Sequence, residues 1–306
     1  MWLDALTAVV ALPRSKRRAA LDELCESNRD ESPEDWNTAF GRESLYDAWS
    51  QTPPMLSLYA ANHGVLRPFL DSRRDCHIVE IGGGNGALWG GFFGPEARGS
   101  FTLIDPVQDA HRAVATRLPE GIEFHSRVTP VEQAEMPGGD VVVCSLMLHH
   151  VAGLDAEQRY AYGLTGPGKH EILQRILASI QPQDGICILN ESDVYTEIDL
   201  PPDGPILIDR LIDSYVTRAG LAVAQALESA DLDPSLRRRL KAVLLHWCLD
   251  QVERAGTCSR ADRDVYELDT PRWRTTLERA GAQLISHRFT DDWHLFHQWV
   301  FRSPGQ

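Results

Sequence analysis

The sequence predicts an α/β fold: a doubly wound, mostly parallel seven-stranded sheet with an antiparallel last strand, N-terminal helices and a helical insertion after strand five. Three observations carry this expectation. From Cys76 onward, short and almost wholly apolar strands alternate with helical segments, the pattern of a parallel sheet covered on both faces. The first of these strands runs straight into a glycine-rich turn. The last two are separated by Asp291-Asp292-Trp293, short enough for a hairpin, which turns the final strand antiparallel to its neighbour.

In chain order, residues 1–70 read as a helical cap. Leu21, Leu24 and Cys25 share one helical face, and a second run through Leu45, Tyr46, Ala48 and Trp49 follows the break at Asn28 to Pro33. Pro53-Pro54 interrupts, and helical spacing resumes from Met55 to Leu70. The strands are His77 to Ile81, Phe101 to Ile104, Ile122 to His125, Val141 to Ser145 and Ile186 to Leu189. Helices are expected after the glycine turn through Leu88, over Val107 to Leu118, and over Lys169 to Ile180. The insertion, residues 195–263, holds helical runs at Ile206 to Leu227 and Pro234 to Arg254 and is expected to form a substrate lid. A helix over Thr270 to Ala280 and strands over Gln283 to Phe289 and Leu295 to Arg302 complete a core formed by residues 71–194 and 264–306.

Composition narrows the partners. The formal charge of −14 disfavours a nucleic acid or an anionic membrane surface, since a polyanion would be repelled. A small-molecule substrate fits better. The six cysteines show no CxxC pair and no metal-ligand spacing, so neither a disulfide framework nor a metal site is expected, and reduced thiols in the cytoplasm are. Positive charge follows the apolar start of the chain rather than preceding it, unlike a signal peptide, and no stretch approaches a membrane span. Lys16, Lys169 and Lys241 are the only lysines, against abundant arginine, which hints at a GC-rich bacterial genome. The helical additions can pack on the core or on a second copy, so a homodimer is one expected arrangement.

The glycine turn is Glu80-Ile81-Gly82-Gly83-Gly84-Asn85-Gly86. Glycines permit positive φ and a close backbone approach to a ligand. The second strand ends in Ile104-Asp105, a carboxylate placed to accept the hydroxyls of a ribose. Together they point to a nucleoside ligand. Gly82, Gly84 and Ala87 also satisfy the looser dinucleotide spacing, so NAD(P) stays open as an alternative. Glu80 argues against it, because a carboxylate beside a pyrophosphate is repelled whereas it suits a cationic cofactor.

Through Glu80 to Gly86 and Asp105, and through the antiparallel last strand, the chain resembles the class I S-adenosylmethionine-dependent methyltransferases. The resemblance implies S-adenosylmethionine as cofactor, with Glu80, Gly82, Gly84 and Gly86 around its methionine part and Asp105-Pro106 at the ribose. It further implies Val128 and Thr129 near the adenine, Ser145 and Leu146 on the methionine side, and Tyr46 covering the cofactor.

The fourth strand ends in Ser145-Leu146-Met147-Leu148-His149-His150 and the fifth in Asn190-Glu191-Ser192-Asp193. This pattern is similar to the small-molecule O-methyltransferases of the plant and polyketide type. That similarity implies His149 as the base removing the acceptor's proton, with His150 beside it, and Glu191 as the acid orienting it. The chain departs from that group in its shorter N-terminal part and in lacking Asp-Trp after the Leu-His pair. Trp49, Tyr160, Tyr162, Asp193, Tyr195, Tyr215 and His246 are the expected substrate-pocket residues, aromatic walls suiting a planar substrate and a sulfonium. The implied activity is methyl transfer to an O, N or C nucleophile of a small metabolite in bacterial secondary metabolism. Two further readings stay open: a non-methylating use of the same cofactor, such as cyclisation or aminocarboxypropyl transfer, and a non-catalytic cofactor-binding protein.

Overall fold

The computed structural model describes residues 11–27, 49–73, 75–151, 167–181, 184–192, 270–292 and 294–304, with a few isolated positions besides. The run through Leu45 to Ala48 and, isolated positions apart, the helical runs of the insertion lie outside the described residues.

Seven strands form one sheet in the order β3-β2-β1-β4-β5-β7-β6. These are β1 (His77–Ile81), β2 (Gly99–Ile104), β3 (Ile122–Arg127), β4 (Val141–Ser145), β5 (Ile186–Ser192), β6 (Gln283–Phe289) and β7 (Phe296–Arg302). The first five pair in parallel, and β7 runs antiparallel to both β5 and β6. The expected doubly wound sheet with an antiparallel last strand is present, in the architecture that the class I methyltransferase resemblance implies. The hairpin is closed by Asp291, whose two carboxylate oxygens accept from the amides of Leu295 and Phe296 at 3.0 and 2.9 Å.

Strands buried on both faces favour apolar side chains pointing both ways, which explains the largely apolar runs of β1, β4 and the first half of β5. One face carries Val79, Ile81, Val142, Leu189 and Trp299 against Ile172, Leu173 and Ile176 of α4 (Pro167–Ser179) and Trp273 and Leu277 of α5 (Thr270–Ala280). The other carries Ile78, Phe101, Leu103, Val141, Val143 and Ile188 against Leu66 of α2 (Pro53–Asp71) and Val114 of α3 (Gln108–Ala115). The remaining helix, α1 (Arg14–Glu26), precedes them. No helix among the described residues is long and apolar enough to cross a membrane.

Two local expectations change. Pro53-Pro54 does not interrupt a helix but starts one: both stand in the first turn of α2, where a missing N–H costs nothing. The helix expected after the glycine turn is a single 3₁₀ turn, Ala87–Trp89. Gly90-Gly91 and Gly94-Pro95 make further helix unfavourable there. An aromatic plug fills the space instead, with Trp89 stacked on Phe93 and edge-on to Phe92 and Phe101 at centroid distances of 5.0–5.6 Å.

Candidate active site

The site is built at the carboxyl edge of the sheet, where an open parallel sheet takes its ligands. The glycine turn leaves β1 with Gly82, Gly84 and Gly86 all at positive φ. Two of them are held by packing as well as by conformation. A Cβ on Gly82 would lie 2.7 Å from the Met147 side chain, and one on Gly86 would lie 3.0 Å from Cα of Val114. The turn is also tied down on both sides. Gly82 donates to the carbonyl of Ile104 at 2.9 Å, and the Asn85 carboxamide accepts from the Ala87 amide at 3.1 Å while donating to Ser50 Oγ at 3.3 Å. Beside it a cleft of about 500 Å³ opens between Asn85, Ala87 and Arg117 and the Leu56 and Tyr59 face of α2.

Asp105, at the end of β2, serves the chain first. Its Oδ2 accepts from the Gly83 amide at 3.0 Å and its Oδ1 from the Val107 amide at 2.8 Å, so one carboxylate clamps the glycine turn to the neighbouring strand end. Burial raises its pKa, opposed by the Val107 and Gly83 amides and by His111. His111 is itself buried, with Nε2 against the Asp105 carbonyl at 2.9 Å and Nδ1 against Ser126 Oγ at 2.8 Å. Since a carbonyl only accepts, His111 carries its proton on Nε2, and the end of β2 is braced from both sides. Each carboxylate oxygen of Asp105 keeps a further lone pair for a ligand hydroxyl.

Pro106 is exposed, and beyond it Val107 and, past the end of the adjacent β3, Val128 are two of the few large apolar side chains left in solvent among the described residues, at 57% and 46%. Thr129, next in the chain, is half-buried. Val107 escaped the sequence reading. An apolar residue two places after the acidic strand end was the signal that could have found it.

Glu80 lies inside the protein, beneath the glycine turn. It is 2% exposed, its Oε2 lies beneath the turn close to Gly83, and that oxygen has no hydrogen-bond partner. Burial pushes its pKa from 4.5 to about 8, with Trp89 lowering it and Asp105 raising it further. Burial thus disfavours the charged form of Glu80 and weakens the electrostatic argument against a dinucleotide.

The ends of β4 and β5 bring together the histidine and the acid that the resemblance named. Glu191 is 1% exposed; its Oε1 accepts from the Leu148 amide and its Oε2 meets His149 Nδ1, each at 2.7 Å. A carboxylate at Nδ1 puts the neutral ring's proton there and makes Nε2 the basic nitrogen. His149 and His150 share the 3₁₀ turn Leu148–His150, their rings 4.2 Å apart between centroids, with His150 the more exposed. Between strand and turn, Leu146 takes a positive φ of 52° and donates to the Asn190 carbonyl at 2.8 Å. A leucine in that region stores strain, which marks the bend that swings His149 back over Glu191.

On the opposite face of the same strand ends lies a buried polar row unforeseen in the sequence. Asn190 Oδ1 accepts from Ser145 Oγ at 2.7 Å and from Asn62 Nδ2 of α2 at 2.8 Å. Asn62 Oδ1 accepts from Gln298 Nε2 at 2.6 Å, and Gln298 Oε1 accepts from Arg288 Nε at 3.0 Å. Of the expected pocket residues, Trp49 is buried at the foot of α2 beside Ser50. Tyr46, Tyr160, Tyr162, Asp193, Tyr195, Tyr215 and His246 lie outside the described residues.

The fold and strand-edge site define a Rossmann-like α/β protein with a clamped glycine turn and a histidine–glutamate pair. No family model matches the chain, and no curated protein does. Among solved structures it is similar to human N-acetylserotonin methyltransferase in complex with SAM, at 15% identity over 86% of this chain and 56% of that one, with a TM-score of 0.44. It is likewise similar to a family 2 O-methyltransferase from Planctomyces limnophilus (12%, 85% of this chain and 65% of that one, TM-score 0.41). Magnesium protoporphyrin IX methyltransferase from Synechocystis PCC 6803 is another (14%, 82% and 85%, TM-score 0.44). The chain spans less than two thirds of the length of the first two.

Proposed function

We propose that this protein binds S-adenosylmethionine and transfers its methyl group to an O, N or C nucleophile of a small metabolite. The observation that carries the reading is the His149–Glu191 pair at 2.7 Å, standing at the same sheet edge as the glycine turn that Asp105 clamps. The residues suit the cofactor in kind. Asp105 retains acceptor capacity for ribose hydroxyls, Val107 and Val128 offer exposed apolar surface for a flat base, and Ser145 and Leu146 end the strand next to the turn.

Bound S-adenosylmethionine supplies an electrophilic methyl on a sulfonium. The chain's own residues do the rest. His149 would take the acceptor's proton at Nε2 as the acceptor–methyl bond forms and the sulfur–methyl bond breaks, S-adenosylhomocysteine leaving, and Glu191 would hold the ring in that tautomer and balance the imidazolium charge. Such help is worth on the order of 10²- to 10⁴-fold, while positioning the reactants supplies about 7 to 11 kcal/mol. A metabolite of secondary metabolism in a bacterial cytoplasm, processed by a monomer or a homodimer, is the setting this reading favours.

The test is incubation with methyl-labelled S-adenosylmethionine and a metabolite extract. Label in an acceptor together with S-adenosylhomocysteine supports methyl transfer. Methylthioadenosine as the nucleoside product would instead support cyclisation or aminocarboxypropyl transfer, and tighter calorimetric binding of NADH than of S-adenosylmethionine would overturn the cofactor reading.

A further inference from the structure

The polar row has a direction, and Arg288 sets it. Ser145, Asn190, Gln298 and Arg288 are register partners on four neighbouring strands, and Asn62 of α2 lies over them. Carboxamide oxygen and nitrogen are close to interchangeable in shape, so a row of amides can in principle run either way. A guanidinium has no acceptor. Its Nε donates to Gln298, so Gln298 presents oxygen to Arg288 and nitrogen to Asn62. Asn62 must then accept from Gln298 and donate to Asn190, whose oxygen is taken up by Asn62 and Ser145 together. Reversal is blocked further by Arg288 donating to the Ala61 carbonyl at 2.8 Å, which ties the guanidinium to α2.

At the far end of this chain of donors stands Asn190 Nδ2, buried and with no hydrogen-bond partner. An unmet buried donor costs roughly 1–3 kcal/mol. Aspartate at this position would satisfy both Asn62 and Ser145 without a stranded NH₂ group. The donor stands at the ends of β4 and β5, with Glu191 next in sequence and the strained Leu146 donating to its carbonyl. If the nucleoside rests at β2 and β3, the rest of the cofactor passes the glycine turn on β1 and reaches β4 one strand spacing on and β5 two, roughly 10 Å beyond β1. The group arriving there is the amino-acid arm, whose ammonium donates and whose carboxylate alone accepts.

We propose that Asn190 is a binding residue for the carboxylate of the cofactor's amino-acid arm, its carboxamide NH₂ held toward that oxygen by the row that Arg288 polarises. Asn62 links the covering helix α2 to this residue through its bond to Asn190 Oδ1. This inference rests on the cofactor reading above.

Isothermal titration with S-adenosylhomocysteine and with methylthioadenosine, which lacks the arm, tests it. Asn190→Asp keeps the oxygen that serves Asn62 and Ser145 but turns the donor into an anion. It is expected to weaken S-adenosylhomocysteine at least about tenfold, the value of one hydrogen bond to a charged group, and to leave methylthioadenosine within about twofold. Should the buried carboxylate prevent folding, Asn190→Leu provides the same comparison with a loss of several-fold. Unchanged S-adenosylhomocysteine affinity, or equal loss for both nucleosides, overturns the assignment and leaves Asn190 a packing amide. If the unaltered protein binds neither nucleoside, the cofactor reading falls, and this inference with it.

Discussion

Replacing Glu80 with glutamine tests how burial holds its proton in the folded chain. In the folded chain burial raises the Glu80 pKa to about 8 from its ordinary 4.5, so between those two values the native state holds a proton that the unfolded state has released. Stability therefore falls as pH rises through this window. The group's contribution is fully present below 4.5 and exhausted above about 8. At about 1.4 kcal/mol per pH unit, the roughly 2.5 units from 4.5 to neutrality amount to a loss of about 3.5 kcal/mol at pH 7, an order-of-magnitude figure for one fully buried acid. Glutamine keeps the shape and cannot ionise. We predict that urea denaturation curves of wild type and Glu80→Gln, recorded from pH 5 to 8.5, diverge steadily in favour of the variant by about that amount. Parallel curves across the window would show that Glu80 ionises freely, and would restore it as a charge available to a ligand.

Three further outcomes follow from the site. Glu191→Gln keeps an acceptor for the Leu148 amide but removes the anion at His149 Nδ1; methyl transfer should drop by roughly 10²- to 10⁴-fold, with S-adenosylhomocysteine affinity within about twofold by calorimetry. Asp105→Ala frees the Gly83 and Val107 amides as well as removing a ribose acceptor, so it should cost about 1–3 kcal/mol in chemical denaturation and weaken both S-adenosylhomocysteine and methylthioadenosine, unlike the Asn190 variants. Gly86→Ala places a Cβ 3.0 Å from the Val114 backbone at a φ of 70°, and should lose on the order of 1–3 kcal/mol of stability whether or not ligand is present.

Features that depend on near neighbours in sequence were legible. The largely apolar runs of β1, β4 and β5 identified themselves because a strand covered on both faces strongly favours apolar residues, and the hairpin needed only a short link. His149 lies just past β4 and Glu191 among the last residues of β5, which runs on to Ser192 beyond the expected end at Leu189, and adjacent parallel strands bring these ends together in register. The 3₁₀ turn after Gly86 was missed because helix spacing and an aromatic plug look alike over three residues; Gly90-Gly91 carried the deciding information.

The burial of Glu80 and the polar row were not legible for a related reason. In a strand with one face in water, a charged residue marks the wet face. In β1 both faces are covered, so Glu80 has nowhere wet to point and its burial follows from the very run of apolar neighbours that identified the strand. The same reasoning applies to Asn190 within β5, every residue of which is buried. A polar residue inside such a strand must find partners inside the protein, and its partners come from α2, β4 and, through Asn62, the last two strands, with Asn62 and Gln298 separated by 236 positions. Sequence pattern cannot supply those pairs. It can pose the question of what satisfies the residue, and for Asn190 the protein answers it on the oxygen side only, which is why the nitrogen directs attention to the ligand.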